Sequence, residues 1–224
     1  CRVGYYQPDS GQQNCIPSSP GYSVANLGSS TQDGCDPGTY QPNFASSSCI
    51  EASLGHYVEN ENATAQLSCT PGTYQPNYAS TSCILAEPGH WVESDGASQT
   101  QSCPLGTYGT SVGAVGIETC ISADPGYYVD STGASSQLEC IAGTYNPVIG
   151  AISSADCLAA DAGNYVESSG SSEQTPCDLG TYKPYSCHIF CLESSSGPYV
   201  SNTGSSSVSD CSEGTYHPNS GQSE

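Results

Sequence analysis

The chain has 224 residues and a formal net charge of −20, with two strong bases, Arg2 and Lys183, against 22 acids. Val, Ile, Leu and Phe together make 31 of the 224 residues, a composition that by itself belongs to disordered chains, because too little apolar surface can be buried to offset chain entropy. The charge excludes nucleic acid and anionic membranes as partners, since both need Lys and Arg to displace counterions, and no stretch approaches the ~20 apolar residues that span a bilayer.

Against disorder stand 14 cysteines, 25 glycines and 16 tyrosines, set out with a strict rhythm. With Cys187 set aside, the intervals between cysteines from Cys1 onward run 14, 20, 14, 20, 14, 20, 17, 20, 17, 20, 14 and 20. The repeat is therefore 34 residues, lengthened to 37 in two copies. Its boundaries fall at 1–34, 35–68, 69–102, 103–139, 140–176 and 177–210, and residues 211–224 form the first half of a seventh copy. The start at Cys1 and the absence of Met read as a window cut from a longer, processed protein.

Each repeat has two similar halves. The first reads C-x-x-G-T-Y-x-P, as in Cys35-Gly38-Thr39-Tyr40-Pro42 and Cys69-Gly72-Thr73-Tyr74-Pro76, and returns after Cys140, Cys177 and Cys211. The copy at Cys103 has Thr110 for the proline, and Cys1 opens a variant with Gly4, Tyr5 and Tyr6. The second half carries a Gly/Val pair: Gly21/Val24, Gly55/Val58, Gly89/Val92, Gly126/Val129, Gly163/Val166 and Gly197/Val200. Seven residues after each of these glycines stands a turn residue, Gly28, Asn62, Gly96, Gly133, Gly170 or Gly204, and Asn is the non-glycine residue most tolerant of left-handed backbone angles.

Both halves are versions of one unit, G-x-[Y/W]-x4-G-x6-C. A glycine, a short aromatic strand, a turn and a polar strand ending in cysteine describe a β-hairpin. The expected fold is all-β and disulfide-rich: an elongated tandem array of small hairpins with almost no helix and no large core, its stability a sum of units and neighbour interfaces. The recurring aromatics (Tyr40, Tyr57, Tyr74, Trp91, Tyr108 and their equivalents) and the aliphatics that follow the cysteines (Ile16, Ile50, Ile84, Ile121, Leu158 and Leu192) are expected to supply most of the packing. Disulfides in this number require an oxidising compartment, so the expected location is extracellular or the cell surface.

At this point the residues resemble a known family. C-x-x-G-T-Y…G…C is similar to the cysteine-rich tandem repeats of ephrin-receptor-like and tumour-necrosis-factor-receptor-like ectodomains, as found in long arrays on cell-surface proteins of planktonic archaea and algae. In that family a cysteine stands three residues before each second-half glycine; here the place is held by Ser18, Ala52, Ala86, Ala123, Ala160 and Ser194. The resemblance then implies the pairs Cys1–Cys15, Cys35–Cys49, Cys69–Cys83, Cys103–Cys120, Cys140–Cys157 and Cys177–Cys191, with Cys187 and Cys211 left odd. The rival pairing closes the constant 20-residue intervals, for example Cys15–Cys35 and Cys49–Cys69, and spacing does not choose between them.

Candidate chemistry is sparse. Cys187-His188-Ile189-Phe190-Cys191 is the one local cluster of metal-type ligands, and a metal would need two more; Cys187, at a turn position held elsewhere by Gly11, Ala45 and Ala79, reads as an odd thiol or a bridge to another chain. His56 and His90 are equivalent and read as surface residues. Glu59, Glu93, Asp130 and Glu167 each follow the second-half valine and form a row of single carboxylates, open to weak calcium bridging but without the D-x-D-x-D-G loop. Asn62-Ala63-Thr64 is an N-glycosylation sequon at a turn tip, and serine and threonine make about a quarter of the chain, which suits covalent glycan. No cofactor and no enzyme activity are expected. Repetition without a singular site points to a structural segment of an extracellular fibre, stalk or surface coat that associates with itself; the family resemblance implies the alternative, a receptor or adhesin ectodomain binding protein or glycan.

Overall fold

A computed structural model describes residues 1–223. Eleven two-stranded antiparallel hairpins follow one another in chain order. Hairpins 1 to 6 pair Tyr5–Tyr6 with Ile16–Pro17, Tyr22–Ser23 with Asp33–Gly34, Thr39–Tyr40 with Ile50–Glu51, His56–Tyr57 with Leu67–Ser68, Thr73–Tyr74 with Ile84–Leu85, and His90–Trp91 with Gln101–Ser102. Hairpins 7 to 11 pair Thr107–Tyr108 with Ile121–Ser122, Tyr127–Tyr128 with Leu138–Glu139, Thr144–Tyr145 with Leu158–Ala159, Asn164–Tyr165 with Thr175–Pro176, and Thr181–Tyr182 with Leu192–Glu193. A twelfth is reduced to one antiparallel bridge, Tyr199 with Ser209. The chain is nearly all β, with no large core, and its helical content is two three-residue 3-10 turns, Ile117–Thr119 and Ser154–Asp156. Both lie in the two long copies, where they take up the three extra residues. The second is closed by a capping box, in which Ser153 Oγ accepts the Ala155 N–H at 3.1 Å and Asp156 Oδ2 accepts that of Ser153 at 3.0 Å.

The entry to each hairpin is written in local turn chemistry. In Asp36-Pro37-Gly38-Thr39, Thr39 N–H and Thr39 Oγ1 both donate to the Asp36 carbonyl, at 3.0 and 2.8 Å. Proline at the second place and glycine in the left-handed region at the third, with Gly38 φ at 88°, fit a type II turn. Gly38 is required for a second reason: a Cβ there would stand 2.2 Å from the Ala79 carbonyl oxygen, two hairpins further on.

Contacts divide the chain into two compact units, Cys1–Ser102 with Ser111–Thr119, and Cys103–Thr110 with the chain from Cys120 onward. Within each, the same joint links consecutive hairpins. From hairpin 3 to hairpin 4, Gly38 N–H donates to Val58 O at 2.8 Å, Gln41 N–H to Ala63 O at 3.0 Å, and Asn62 N–H reaches back to Cys35 O at 2.8 Å. In the second unit, hairpins 8 and 9 are joined by Gly126 to Asn146 at 2.7 Å, Val129 to Ala151 at 2.9 Å and Gly150 to Ala123 at 2.8 Å.

So close a backbone contact favours small side chains in the column before the glycine, and a second column of valines and amide side chains completes the interior. Cys35, Cys69, Cys103, Cys140 and Cys177 alternate with Ser18, Ala52, Ala86, Ala123, Ala160 and Ser194, all buried, in the place three residues before the glycine. Three residues after it, buried Val24, Val58, Val92, Val129, Val166 and Val200 alternate with buried Gln41, Gln75, Asn146 and Lys183. The expectation that aromatics and cysteine-following aliphatics form the core is corrected here. Ile16, Ile50, Ile84, Ile121, Leu158 and Leu192 are 41% to 48% exposed, and the recurring tyrosines of hairpins 1 to 11 are half-buried. They meet instead as cross-strand pairs, Tyr40 with Ile50 and Tyr74 with Ile84, the kind of contact that stabilises a hairpin by a few tenths to about 1 kcal/mol. Trp91 is the one aromatic that is buried among the described residues.

Candidate functional site

Six disulfides are formed: Cys1–Cys15, Cys35–Cys49, Cys69–Cys83, Cys103–Cys120, Cys140–Cys157 and Cys177–Cys191. Each sits in an odd-numbered hairpin, and the 20-residue intervals are unbridged. Cys187 and Cys211 are free; Cys187 is exposed at φ 66°, and Cys211 Sγ lies 2.7 Å from the Gly197 carbonyl oxygen.

Even-numbered hairpins carry no disulfide, and in hairpins 2, 4, 8 and 10 a glutamine takes over the clamping, while hairpin 6 has Thr100 at that place. Gln66 Oε1 accepts the Ser53 N–H at 2.8 Å while its Nε2 donates to Ser53 Oγ at 2.9 Å. Gln137 grips Asp124, and Gln174 grips Asp161, through the same N–H and the aspartate carboxylate, all at 2.8 Å. Gln32 accepts the Ser19 N–H in the same way. These glutamines stand eleven residues after the hairpin glycine, a period visible in the sequence that the reading by cysteines and glycines passes over. A second amide clamp holds the loops of odd hairpins: Gln41 Nε2 donates to Ser48 O at 2.7 Å and Gln75 Nε2 to Ser82 O at 2.7 Å. In hairpin 11 the place belongs to Lys183, whose Nζ donates to the carbonyls of Ala160 and Asp161 at 3.3 Å and to that of Asn164. Burial pushes the Lys183 ammonium below its ordinary value of 10.5, opposed by the nearby Cys187 and Asp161.

The remaining sequence candidates are dispersed. Asn62 occupies a left-handed turn at φ 59° and is exposed, as is Thr64; its side-chain oxygen lies over Gly34, where a Cβ would approach it to 1.9 Å. Glu59, Glu93, Asp130 and Glu167 are exposed beside their buried valines. No group of three His, Cys, Asp or Glu that could hold a metal occurs among the described residues, so neither the acid row nor Cys187-His188 is gathered into such a cluster. His56 Nδ1 lies 3.0 Å from Leu54 O and His90 Nδ1 3.4 Å from Pro88 O. Among the described residues no helix is long and apolar enough to cross a membrane.

Three of the surface hollows have a tyrosine in their wall. One of about 310 Å³ is walled by Tyr57, Glu59, Thr70, Thr73, Thr81 and Ser82. Another of about 240 Å³ is walled by Tyr165, Glu167, Asp178, Thr181, Ile189 and Phe190. The third, of about 220 Å³, is apolar and lies in the loop of hairpin 11, between Pro184, Tyr185, His188, Phe190 and Leu192 above the Lys183 stem. No protein-family model matches the chain, and none of the curated proteins is similar to it.

Proposed function

We propose that the chain is a non-catalytic structural segment of an extracellular fibre, stalk or surface coat, self-associating and carrying covalent glycan. The observation that supports this reading is the joint. The same three backbone hydrogen bonds recur from hairpin to hairpin within each unit, and a disulfide or a glutamine clamp closes every one of the eleven hairpins but hairpin 6. A chain built this way invests its specific residues in repeating one connection, as a load-bearing or spacing element does. The six disulfides fit an oxidising location outside the cell, and the exposed Asn62-Ala63-Thr64 turn suits a glycan acceptor. Electron microscopy of native material tests the proposal: uniform filaments are expected, and monodisperse single molecules would overturn it. Intact mass above the 23.0 kDa of the chain, traced by peptide mapping to Asn62 or the serine runs, tests the glycan.

A receptor or adhesin ectodomain is the second reading, and hairpin 11 is what favours it. Tyr185 and Phe190 are exposed there beside the free Cys187 and over an apolar hollow, a combination not found at the equivalent places of hairpins 3 and 5. Single molecules that bind cells through this loop, with binding lost on Tyr185→Ser and Phe190→Ser, are its expected signature.

A further inference from the structure

The first two hollows are one groove built twice. Tyr57, Glu59, Thr73, Thr81 and Ser82 correspond in the repeat to Tyr165, Glu167, Thr181, Ile189 and Phe190, each 108 positions on. One groove lies wholly within the first unit and the other wholly within the second. In both, the even hairpin supplies a half-buried tyrosine ring and, two residues on, an exposed carboxylate; the odd hairpin that follows supplies threonine. The chemistry is narrow. Thr73 Oγ1 and Thr181 Oγ1 spend their protons on the Thr70 and Asp178 carbonyls, at 2.6 and 2.8 Å, and keep lone pairs free. The carboxylates accept only. The groove walls contain no cationic group and each carries a carboxylate that repels negative charge, which disfavours an anion. One carboxylate in the first groove and two in the second fall short of the six to eight oxygens that calcium takes. What remains is a ligand rich in O–H donors with an apolar face for the tyrosine ring, because a concave site with one ring and a few placed acceptors selects orientation through those acceptors.

We propose that these grooves bind neutral saccharide, one ring of a glycan lying on Tyr57 or Tyr165 with its hydroxyls donating to Glu59 or Glu167 and to the threonine oxygen. Ile189 and Phe190, in place of Thr81 and Ser82, make the second groove the tighter one, since they add apolar surface against the ring's C–H face. The proposal is independent of the fibre reading.

The test is a titration of the intact, disulfide-bonded chain with cellotriose, mannotriose and triacetylchitotriose, followed by NMR of the tyrosine ring signals. At least one trisaccharide is expected to shift Tyr57 and Tyr165 with a Kd of about 1 mM, and the Tyr57→Ala/Tyr165→Ala variant to lose binding. Because the tyrosines also pair across their hairpins, Glu59→Gln/Glu167→Gln provides a second probe on exposed side chains, expected to weaken binding about tenfold with the disulfide map unchanged. Signals unmoved by all three sugars at about 10 mM, binding that survives both double variants, or shifts produced by calcium chloride alone would each overturn the proposal. Filaments without sugar binding would remove this inference and leave the fibre reading standing.

Discussion

At the scale of single residues, the two buried serines of the small-residue column separate cleanly. Ser18 Oγ accepts the Ser46 N–H at 2.9 Å and donates to Ser46 O at 3.2 Å. Ser194 Oγ is buried with no partner. Alanine fits the place without strain, since Ala52, Ala86, Ala123 and Ala160 occupy it fully buried. Ser18→Ala is therefore expected to cost about 1–2 kcal/mol, because it strands a backbone donor, while Ser194→Ala is expected to be neutral or stabilising by up to about 1 kcal/mol. Denaturant unfolding of the two variants against the parent checks the opposite outcomes. Lys183 gives a pH signature. Its folded value lies below the 10.5 of an exposed lysine, so between the two the unfolded chain holds the proton and the folded chain has lost it. Stability from this group accordingly rises with pH across that window; below it the full burial cost of the charge is present, and above 10.5 that cost is gone. Lys183→Gln, which installs the residue of hairpins 3 and 5, removes the effect. The parent is expected to gain on the variant as pH climbs toward 10.5, measured as the difference in unfolding free energy at each pH; a gap that stays flat or shrinks would contradict the assignment.

At the scale of the hairpin, two kinds of staple do one job. The odd hairpins are closed covalently, and hairpins 2, 4, 8 and 10 by a glutamine that pairs with the first residues of its own hairpin entry. Gln66→Ala and Gln137→Ala each remove one acceptor for a backbone N–H and one side-chain bond, so each is expected to cost about 1–3 kcal/mol, with faster amide exchange confined to hairpin 4 or hairpin 8. Exchange that stays at parent rates would show the clamp to be surface decoration. Much of this element was legible in the sequence. Cysteine, glycine and proline are local punctuation, and Asp36-Pro37-Gly38-Thr39 states its turn without help from the rest of the chain. What lies between hairpins was not legible. The isoleucines after the cysteines look like core residues because they are apolar and periodic, yet they face outward, since three backbone bonds draw the hairpins together and the interior is taken by Cys, Ala, Ser and Val in alternation with the Gln41, Gln75, Asn146 and Lys183 side chains. The groove was hidden for the same reason: Tyr57 and Thr73 are sixteen positions apart and meet only through the stacking of hairpins 4 and 5.

At the scale of the whole molecule, low hydrophobicity and high charge make covalent closure decisive. Each disulfide closes a loop of 14 or 17 residues, worth about 3 kcal/mol by constraining the unfolded chain, so the six together exceed the 5–15 kcal/mol net stability of an ordinary domain. A charge of −20 adds self-repulsion that no ion pairing relieves with two bases available. Full reduction is therefore expected to unfold the chain at room temperature, read as loss of hairpin amide protection, and most completely at low ionic strength, where repulsion is least screened. A single staple is a different matter. In Cys69→Ser/Cys83→Ser, hairpin 5 loses its bond, but Gly55 and Gly72 still donate to Gln75 and Val92, and Gly38 still sits against Ala79. Loosening should travel along those joints, to the next hairpin and the one beyond, and fade there, because stability in a stacked array is carried by neighbours. Hydrogen exchange of this variant is expected to rise at hairpins 3 to 6 and to stay at parent rates in hairpins 8 to 11. Collapse of protection throughout the chain would mean that the units fold as one cooperative body and that their stability is not the sum of stapled parts.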